Sequence, residues 1–555
     1  MVLFVAMLFV MPPNPFVDRE KPIAKPAYPI LMNRGIVRIP QPFGEKKVLV
    51  IVVDFSDNGH LYHAEEFDSL IYGENQHSLR DYYTEVSYDR FTVSTESKIV
   101  GWYRAPYNYS YYVGDSFGFF SPYPNNVQRL VEHACSLADP SIDFSQFDED
   151  ADGLVDALFI VHAGPGAEET GNRSDIWSHQ WQLSNTGTGC PGAYQTNDGV
   201  RVDPYSMEPE RFATVTGRIT VGVFAHEFGH ILGLPDLYDT DYSTHGIGIF
   251  GLMGAGSWGR VDSLDLPGSS PTHLCVWSKY QLGWLTPTSI ERIGVSKREN
   301  EQIPCAAANP VGYRLLEDPG GPDWESYGGI GEYFLVENRF RTGFDSSLPG
   351  DGLLILHVDD TRTNNNNETH PLVGIMQADG DGDFLLDYGD VGRAEDLWKN
   401  STYGFGDSST PASLDYDDNP TGAWVYDIGP AGSVMTSSFW VTPILLGRVH
   451  SFPNPFRIDK EPSWGRKVVI TYVPSDTVGL VDPFPDFQVI IYNIAGERVR
   501  VLDAARAEID PYTRRAFWDL KNDKGEDVVS GMYLYVIETR GARTERRKGR
   551  MTIIR

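Results

Sequence analysis

The chain has 555 residues, of which 41% are hydrophobic, and this content is ample for several packed cores. Its 46 basic and 76 acidic residues give a formal net charge of -30, which opposes a general affinity for nucleic acid or anionic membranes. We therefore expect a folded, multidomain protein whose natural ionic partners are hard cations such as calcium, and no nucleic-acid partner.

The chain begins with an uncharged apolar run, MVLFVAMLFVM, which has the length of a signal-peptide core and is too short to cross a bilayer. We expect residues 1–11 to direct export, although no basic residue precedes the run; a buried N-terminal strand is the alternative. No later run approaches the roughly 18 apolar residues of a transmembrane helix. The predicted protein is secreted or displayed at the cell surface, without a transmembrane span. Four scattered cysteines are compatible with one or two disulfides or with buried thiols.

After a Pro-rich lead or prosegment, which we assign to residues 12–45, the chain has an α/β pattern. The run KVLVIVVDF (residues 47–55) and the segment 151–162 are typical of buried strands. Between them, residues 125–137 have the apolar spacing of a helix. The strand, helix, strand order predicts an α/β (α+β) layer, and residues 46–290 are predicted to form the first large domain.

Beyond about Trp284 the pattern changes to short β-rich runs separated by Gly, Asp and Asn clusters, such as residues 332–337 and 352–359. This texture predicts a β-sandwich over residues 291–445. After a break near Pro443, alternating strands with turn signals predict a small C-terminal Ig-like sandwich over residues 446–555. Its predicted strands are residues 489–494, 515–519 and 532–537.

One segment combines residues that bind a metal with a base. The run TVGVFAHEFGHIL (residues 220–232) predicts a helix that ends at Gly233. His226 and His230, four residues apart, lie on one face of such a helix, about 6 Å apart, and can chelate one ion. Zinc held by two imidazoles and a third ligand lowers the pKa of its water to about 7, and Glu227 can take that water's proton and pass it to a departing amine. The pattern predicts amide hydrolysis.

Two downstream features extend this motif. The chain turns from Gly233 through Leu234 and Pro235 to Asp236, which can return a carboxylate to the metal as third ligand. Met253 lies further along, in the Gly-rich turn GLMGAGSW, where ordinary core filling is the alternative interpretation. Three other carboxylates compete for the third position: Asp239, Glu332 and Glu337.

The run HEFGHILGLPDLYD followed by GLMGAGSW resembles the immune inhibitor A family of secreted metallopeptidases, within the metzincin-like zinc peptidases. KVLVIVVDFSD, FDEDADGLVDALFIVHAG, EYFLVENR and LPGDGLLILHVDD extend the resemblance over residues 45 to 440. It implies a zincin-like catalytic domain in residues 46–290, zinc ligands at His226 and His230, the catalytic base at Glu227, and a supporting turn at Met253. Metzincins commonly have histidine where this chain has Asp236. Some also carry a tyrosine two residues past the methionine, where this chain has none, so the oxyanion donor is unassigned.

Two acidic clusters predict structural calcium. The first matches the first nine positions of a calcium loop, but Phe159 replaces the glutamate of position twelve, so we expect a calcium-bound turn completed from elsewhere; a solvated acidic turn is the alternative. The second lies on a Gly-rich loop, where like charges repel unless a cation binds. The candidate ligands are Asp148, Asp150, Asp152 and Asp156 in the first cluster, and Asp379, Asp381, Asp383 and Asp387 in the second.

The C-terminal segments FPNPF, YNIAGERVRVL, FWDLKNDKGEDVVSGMYLYVI and KGRMTIIR resemble the sorting domains of type IX secretion substrates and the related Ig-like domains of flagellar hook-capping proteins. This resemblance implies passage across an outer membrane and a partner in the secretion machinery. An appended sandwich that binds a wall component or spaces the enzyme is the alternative.

The sequence as a whole predicts a secreted, zinc-dependent endopeptidase that hydrolyses protein or peptide substrates, with Glu227 as general base. The alternative from another class is a catalytically inactive, calcium-stabilised surface scaffold or adhesin.

Overall fold

The computed structural model shows a strand-rich, mixed α/β protein with several sheets and few helices. The chain forms two compact units, residues 1–289 with 299–438 and residues 290–298 with 439–555. The residues that the structure describes are 9–17, 42–74, 77–119, 121–185, 188–292, 295–318, 331–380, 385–387, 390–442, 449–457, 467–472, 486–503, 508–510, 515–540 and 546–555.

The described strands are, in chain order, β1 (Phe9–Val10), β2 (Gly44–Lys46), β3 (Leu49–Asp54), β4 (Phe91–Val93), β5 (Lys98–Arg104), β6 (Leu158–Pro165), β7 (His179–Gln182), β8 (Tyr194–Gln195), β9 (Arg201–Val202), β10 (Pro204–Arg211), β11 (Thr288–Ile290), β12 (Lys297–Pro304), β13 (Tyr313–Leu315), β14 (Glu332–Arg339), β15 (Gly352–Asp359), β16 (Val373–Ile375), β17 (Ala423–Tyr426), β18 (Val434–Val441), β19 (Val449–Phe452), β20 (Phe456–Arg457), β21 (Val468–Tyr472), β22 (Asp486–Asn493), β23 (Arg498–Leu502), β24 (Ile509–Asp510), β25 (Arg515–Trp518), β26 (Gly531–Arg540) and β27 (Arg546–Ile554). The helices are α1 (Glu66–Ile71), α2 (Leu79–Val86), α3 (Tyr109–Val113), α4 (Val127–Ala138), α5 (Ala167–Thr170), α6 (Val221–Ile231) and α7 (Val276–Gln281).

A six-stranded sheet in the order β1-β7-β10-β6-β3-β5 is the framework of the first unit. Strands β10, β6, β3 and β5 are parallel, whereas β7 runs antiparallel to β10, and β1 antiparallel to β7. Every residue of β3 is buried, as expected for a continuous apolar strand covered on both faces. Strand β3, helix α4 and strand β6 confirm the predicted strand, helix, strand order.

Helix α6 is buried along its whole length and packs against β7 and β10 of this sheet. Its predicted extent is confirmed within one residue at each end, with Leu232 at the C-terminal cap. The helix cannot continue because Gly233 adopts φ +93°, a conformation that glycine tolerates best. The chain therefore leaves the helix shortly after the second histidine and turns back toward it.

The β-rich part of the first unit includes a five-stranded sheet in the order β11-β13-β14-β15-β16. Strands β14 and β15 confirm the predicted strands at residues 332–337 and 352–359. A three-stranded sheet has the order β12-β18-β17. The division at residues 290 and 445 into catalytic, sandwich and C-terminal domains stays a prediction.

The second unit contains a four-stranded sheet, β19-β21-β25-β24, and a five-stranded sheet, β20-β27-β26-β22-β23. Side chains of both sheets share one apolar core, in which Ile470 and Trp518 from one sheet meet Val489 and Ile537 from the other. Strands β22, β25 and β26 confirm the three predicted strands of this region.

At the start of the chain, residues 9–10 form strand β1 at the edge of the first sheet, and Val10 and Met11 are buried. This pairing agrees with the alternative interpretation of the N-terminal run as a buried strand. Residues 1–8 lie outside the described part of the chain. In the described ranges, no helix has both the length and the apolar character needed to cross a bilayer. All four cysteines are buried free thiols.

Candidate metal centre

Three buried side chains converge near the C-terminal end of α6. The Nε2 atoms of His226 and His230 lie 3.1 Å apart. The Oδ1 atom of Asp236 lies 3.2 Å from the first Nε2 and 3.3 Å from the second. The turn at Gly233 is what brings this carboxylate back, so Asp236 is the candidate third ligand that the structure places beside both imidazoles.

Contacts at the Nδ1 atoms of the two imidazoles fix which nitrogen of each ring carries the proton. Nδ1 of His226 lies 3.0 Å from the carbonyl oxygen of Leu252, and Nδ1 of His230 lies 2.8 Å from that of Leu234. A carbonyl only accepts, so each Nδ1 carries the proton and each Nε2 presents a lone pair. Burial lowers the pKa of His230, which keeps that ring neutral.

The three facing atoms fit a zinc ion. Zinc binds imidazole nitrogen and carboxylate oxygen at about 2.0 to 2.2 Å, so tetrahedral ligand atoms lie about 3.3 Å from one another. The observed separations of 3.1 to 3.3 Å agree with that value. Oδ1 of Asp236 also has no hydrogen-bond donor among the described residues, so these electron-rich atoms repel one another unless a cation lies between them.

The turn at Met253 supports this centre through its backbone and its sulfur. The Leu252 carbonyl orients His226, and the Met253 carbonyl accepts a hydrogen bond of 2.8 Å from the Leu237 N–H. A methyl group added at Gly229 would lie 2.6 Å from the Met253 sulfur. The methionine therefore packs directly against the helix backbone between the two histidines.

Glu227 is fully buried beside the centre, and neither of its carboxylate oxygens has a hydrogen-bond partner within the described ranges. Burial raises the pKa of Glu227 well above its ordinary value, and the nearby carboxylates of Glu208, Asp236 and Glu168 act in the same direction. The backbone N–H of Gln180 lowers this pKa, although its geometry falls short of a normal hydrogen bond. The carboxyl group is thus held dry and free to exchange a proton.

Of the first predicted calcium cluster, the structure brings Asp148, Asp150 and Asp152 together, with one oxygen of each within 4.8 Å of the others. Their carboxylates also accept backbone N–H groups of the same turn. Asp156 is not in the group: its Oδ2 accepts from the Glu149 N–H at 2.8 Å and lies 3.0 Å from Lys46 Nζ.

Of the second predicted cluster, Asp381 and Asp383 lie outside the described residues, so the structure describes only Asp379 and Asp387. Within the described part, neither belongs to a group able to hold an ion. The neighbouring Asp390 pairs with Arg393 at 2.7 Å.

The structure also forms two groups that the sequence did not predict. Two of the competitors for the third zinc position, Asp239 and Glu332, belong to these groups. The third, Glu337, accepts a hydrogen bond from the Val276 N–H at 3.0 Å and lies 3.4 Å from Arg339. The two groups are Glu332 with Asp359 and His370, and Asp239 with Asp241 and Glu368. Each group joins residues that lie more than ten positions apart in the sequence, so no local spacing signals the complete group.

The helix carries two imidazoles whose Nε2 atoms can bind a metal, together with a buried glutamate. The carboxylate of Asp236 and the turn at Met253 complete the arrangement, which defines a candidate hydrolytic metal centre. Residues 53–285 match the family model described as immune inhibitor A peptidase M6, catalytic domain. All the residues of this centre lie inside the matched range.

Two relatives are similar to part of this chain. The chain is 32% identical over 273 residues to immune inhibitor A of Bacillus thuringiensis subsp. alesti, an alignment that covers 41% of this chain and 38% of that protein. It is 31% identical over 284 residues to the pre-pro-metalloprotease PrtV of Vibrio cholerae serotype O1, covering 42% of this chain and 29% of the relative. The matches thus span less than two fifths of the relatives' own length.

Among solved structures, one reported as PorZ, a surface component of the type-IX secretion system of Porphyromonas gingivalis, is 16% identical, with a TM-score of 0.15, and covers 40% of this chain and 28% of its own. CopC from Methylosinus trichosporium OB3b is 14% identical, with a TM-score of 0.13, and covers 19% and 89%. Scores this low carry no inference about fold or function.

Proposed function

We propose that this protein is a secreted, zinc-dependent endopeptidase with a zincin-like catalytic domain, acting on proteins or peptides. The observation that carries the proposal is the meeting of three lone-pair atoms, on His226, His230 and Asp236, at the helix that also carries the buried carboxyl of Glu227, which has no hydrogen-bond partner among the described residues. The peptidase M6 match over the same residues supports it.

When bound by these three side chains, zinc supplies Lewis-acid chemistry, which polarises a carbonyl and acidifies water. The protein's own groups do the rest. The Leu252 and Leu234 carbonyls hold both imidazoles in the tautomer that a metal needs. Glu227 accepts a proton from the attacking water at its carboxylate and later donates it to the departing amine, so that it acts first as base and then as acid. Burial makes this carboxylate more basic than one in water.

The cheapest test is proteolysis under metal control. Casein degradation by the purified chain should stop in phenanthroline and return when zinc is added. The inactive scaffold or adhesin predicts no chelator-sensitive proteolysis under any metal, and that result would contradict the proposal.

We also propose structural calcium at the turn of Asp148, Asp150 and Asp152, supported by the convergence of three carboxylates on one point. For the second unit we propose an Ig-like sandwich that engages a secretion machinery, supported by its two sheets around one core and by the sequence resemblance. Deleting residues 446–555 should then leave the chain inside the producing cell; unchanged export would contradict this role.

A further inference from the structure

The edge of the first sheet that lies nearest the metal centre carries a short peptide segment of the chain itself. Strand β1 pairs antiparallel with β7, with Phe9 opposite Gln180 and Val10 opposite His179. The Met11 N–H continues the pairing by donating to the Ser178 carbonyl at 3.0 Å. β1 also lies alongside α6, the helix of the metal ligands. The segment thus extends the sheet as an added strand, which is how an edge strand takes up a peptide ligand.

Three side chains donate to three successive carbonyls of this segment. The Tyr238 hydroxyl donates to the Val10 carbonyl at 2.5 Å. The Trp177 indole donates to the Met11 carbonyl at 2.7 Å, and the Trp258 indole donates to the Pro12 carbonyl at 2.9 Å. All three donors are buried. Their hydrogen bonds go to backbone carbonyls of the segment, which are groups that every peptide shares.

The donors also come from the elements that build the metal centre. Tyr238 follows Asp236 by two residues, and its ring lies 6.4 Å from that of His226. Trp258 ends the 3-10 helix that follows Met253. Trp177 lies two residues before the start of β7, the strand that pairs with the segment. A peptide held by these groups lies along the helix that carries Glu227.

We propose that Trp177, Tyr238 and Trp258, with the edge of β7, bind the backbone of the peptide substrate, and that residues 10–12 hold the place which the substrate backbone takes. The inference rests on the proposed peptidase function. Recognition of carbonyls alone suits an enzyme that accepts varied sequences, and it means that segment and substrate compete for the same donors.

Because the segment and the substrate compete for the same donors, the test must separate the two effects. Removing a donor in the unsubstituted chain weakens the segment and the substrate alike, so the two effects on KM partly cancel. We therefore use Met11→Arg, which places a charge at a fully buried position and should displace the segment. In this background Trp258→Phe removes one donor. Trp284→Phe is the matched control, because Trp284 is equally buried and also donates to a proline carbonyl, that of Pro42 at 2.8 Å.

Binding is measured without turnover, by fluorescence anisotropy of a labelled, blocked peptide that copies residues 9–17, on zinc-loaded chains that also carry Glu227→Gln. The peptide should bind the Met11→Arg chain, and Trp258→Phe should weaken it about two- to tenfold, the value of one hydrogen bond, while Trp284→Phe leaves it unchanged. Absence of binding, or equal effects of the two tryptophan variants, overturns the inference. These outcomes do not depend on hydrolysis, so failure of the peptidase proposal remains distinguishable.

A second measurement covers the case in which Met11→Arg does not fold. In the Glu227→Gln chain with the segment intact, the Met11 amide and the Asn14 amide, which donates to the Glu168 carbonyl at 3.0 Å, should be protected from hydrogen exchange. Millimolar peptide should expose both amides by taking their place. Protection that persists at a peptide concentration that saturates the chain overturns the inference.

Discussion

The contact between Gly229 and Met253 yields the sharpest test of how the metal centre is supported. A methyl group at Gly229 would lie 2.6 Å from the Met253 sulfur, whereas non-bonded heavy atoms prefer about 3.5 to 4.0 Å. Gly229→Ala therefore forces the methionine, and the turn that carries it, to move by about 1 Å. Because the adjacent Leu252 carbonyl orients His226, the metal ligand should move as well.

Two opposing terms set the size of the effect. Overpacking of this kind costs about 1 to 3 kcal/mol, while alanine in place of glycine inside a helix gains about 0.5 to 1 kcal/mol. We expect Gly229→Ala to lower the free energy of unfolding by up to about 2 kcal/mol. Disturbing the group that orients a metal ligand should also weaken zinc binding by about 10- to 100-fold. Denaturant unfolding of the metal-free chain and zinc competition with a chromogenic chelator measure the two quantities.

The double variant decides whether the clash is the cause. In a Met253→Ala background the sulfur is gone, so Gly229→Ala should change sign and stabilise the chain by about 0.5 to 1 kcal/mol through helix propensity. If Gly229→Ala destabilises both backgrounds equally, the methionine is not what limits this position and the reasoning is refuted.

Glu227→Gln should reduce turnover of a quenched peptide by about 10²- to 10⁴-fold with zinc content unchanged. Glu132 is a buried glutamate on α4, and Glu132→Gln should leave turnover unchanged. Equal losses in the two variants would contradict the role of Glu227 as base. Asp345→Asn should cost about 3 to 5 kcal/mol at neutral pH, because it leaves Arg339 buried without the anion 2.6 Å away. Burial raises the pKa of Asp345, but Arg339 outweighs it and the folded-state pKa is about 2, below the ordinary 3.8; the stabilisation is therefore full above pH 4 and lost as the pH falls through 2. A difference that does not shrink in denaturant titrations between pH 4 and 2 would refute this. Chelating calcium should lower the melting temperature, and Asp150→Asn should abolish that response; an unchanged melt after demonstrated calcium removal would contradict the site.

Local patterns were sufficient for the elements whose causes lie within a few residues. The helix with its two histidines, its end at Gly233 and the buried strand β3 all follow from spacing, turn chemistry and apolar runs. The placement of Asp236 also followed, because the turn after Gly233 returns the chain over only three residues.

Other features needed the tertiary fold. Asp156 matched the spacing of a calcium loop, yet Lys46 from β2 and the Glu149 N–H take its carboxylate. Residues 1–11 have the composition of a signal-peptide core, while the structure pairs residues 9–10 with β7. Lys46 and strand β7 both lie more than 100 residues away in sequence from the groups that they contact.

The sequence by itself determined that the two imidazoles share one helix face, because residues four apart need only the 3.6-residue repeat to meet. Only the tertiary structure decided which groups hold these imidazoles in place and what lies against them. The carbonyl of Leu252, the sulfur of Met253 and the donors Tyr238 and Trp258 act through contacts that no local repeat encodes. Such contacts arise when packing brings distant segments within hydrogen-bond reach, so their residues look ordinary in the sequence.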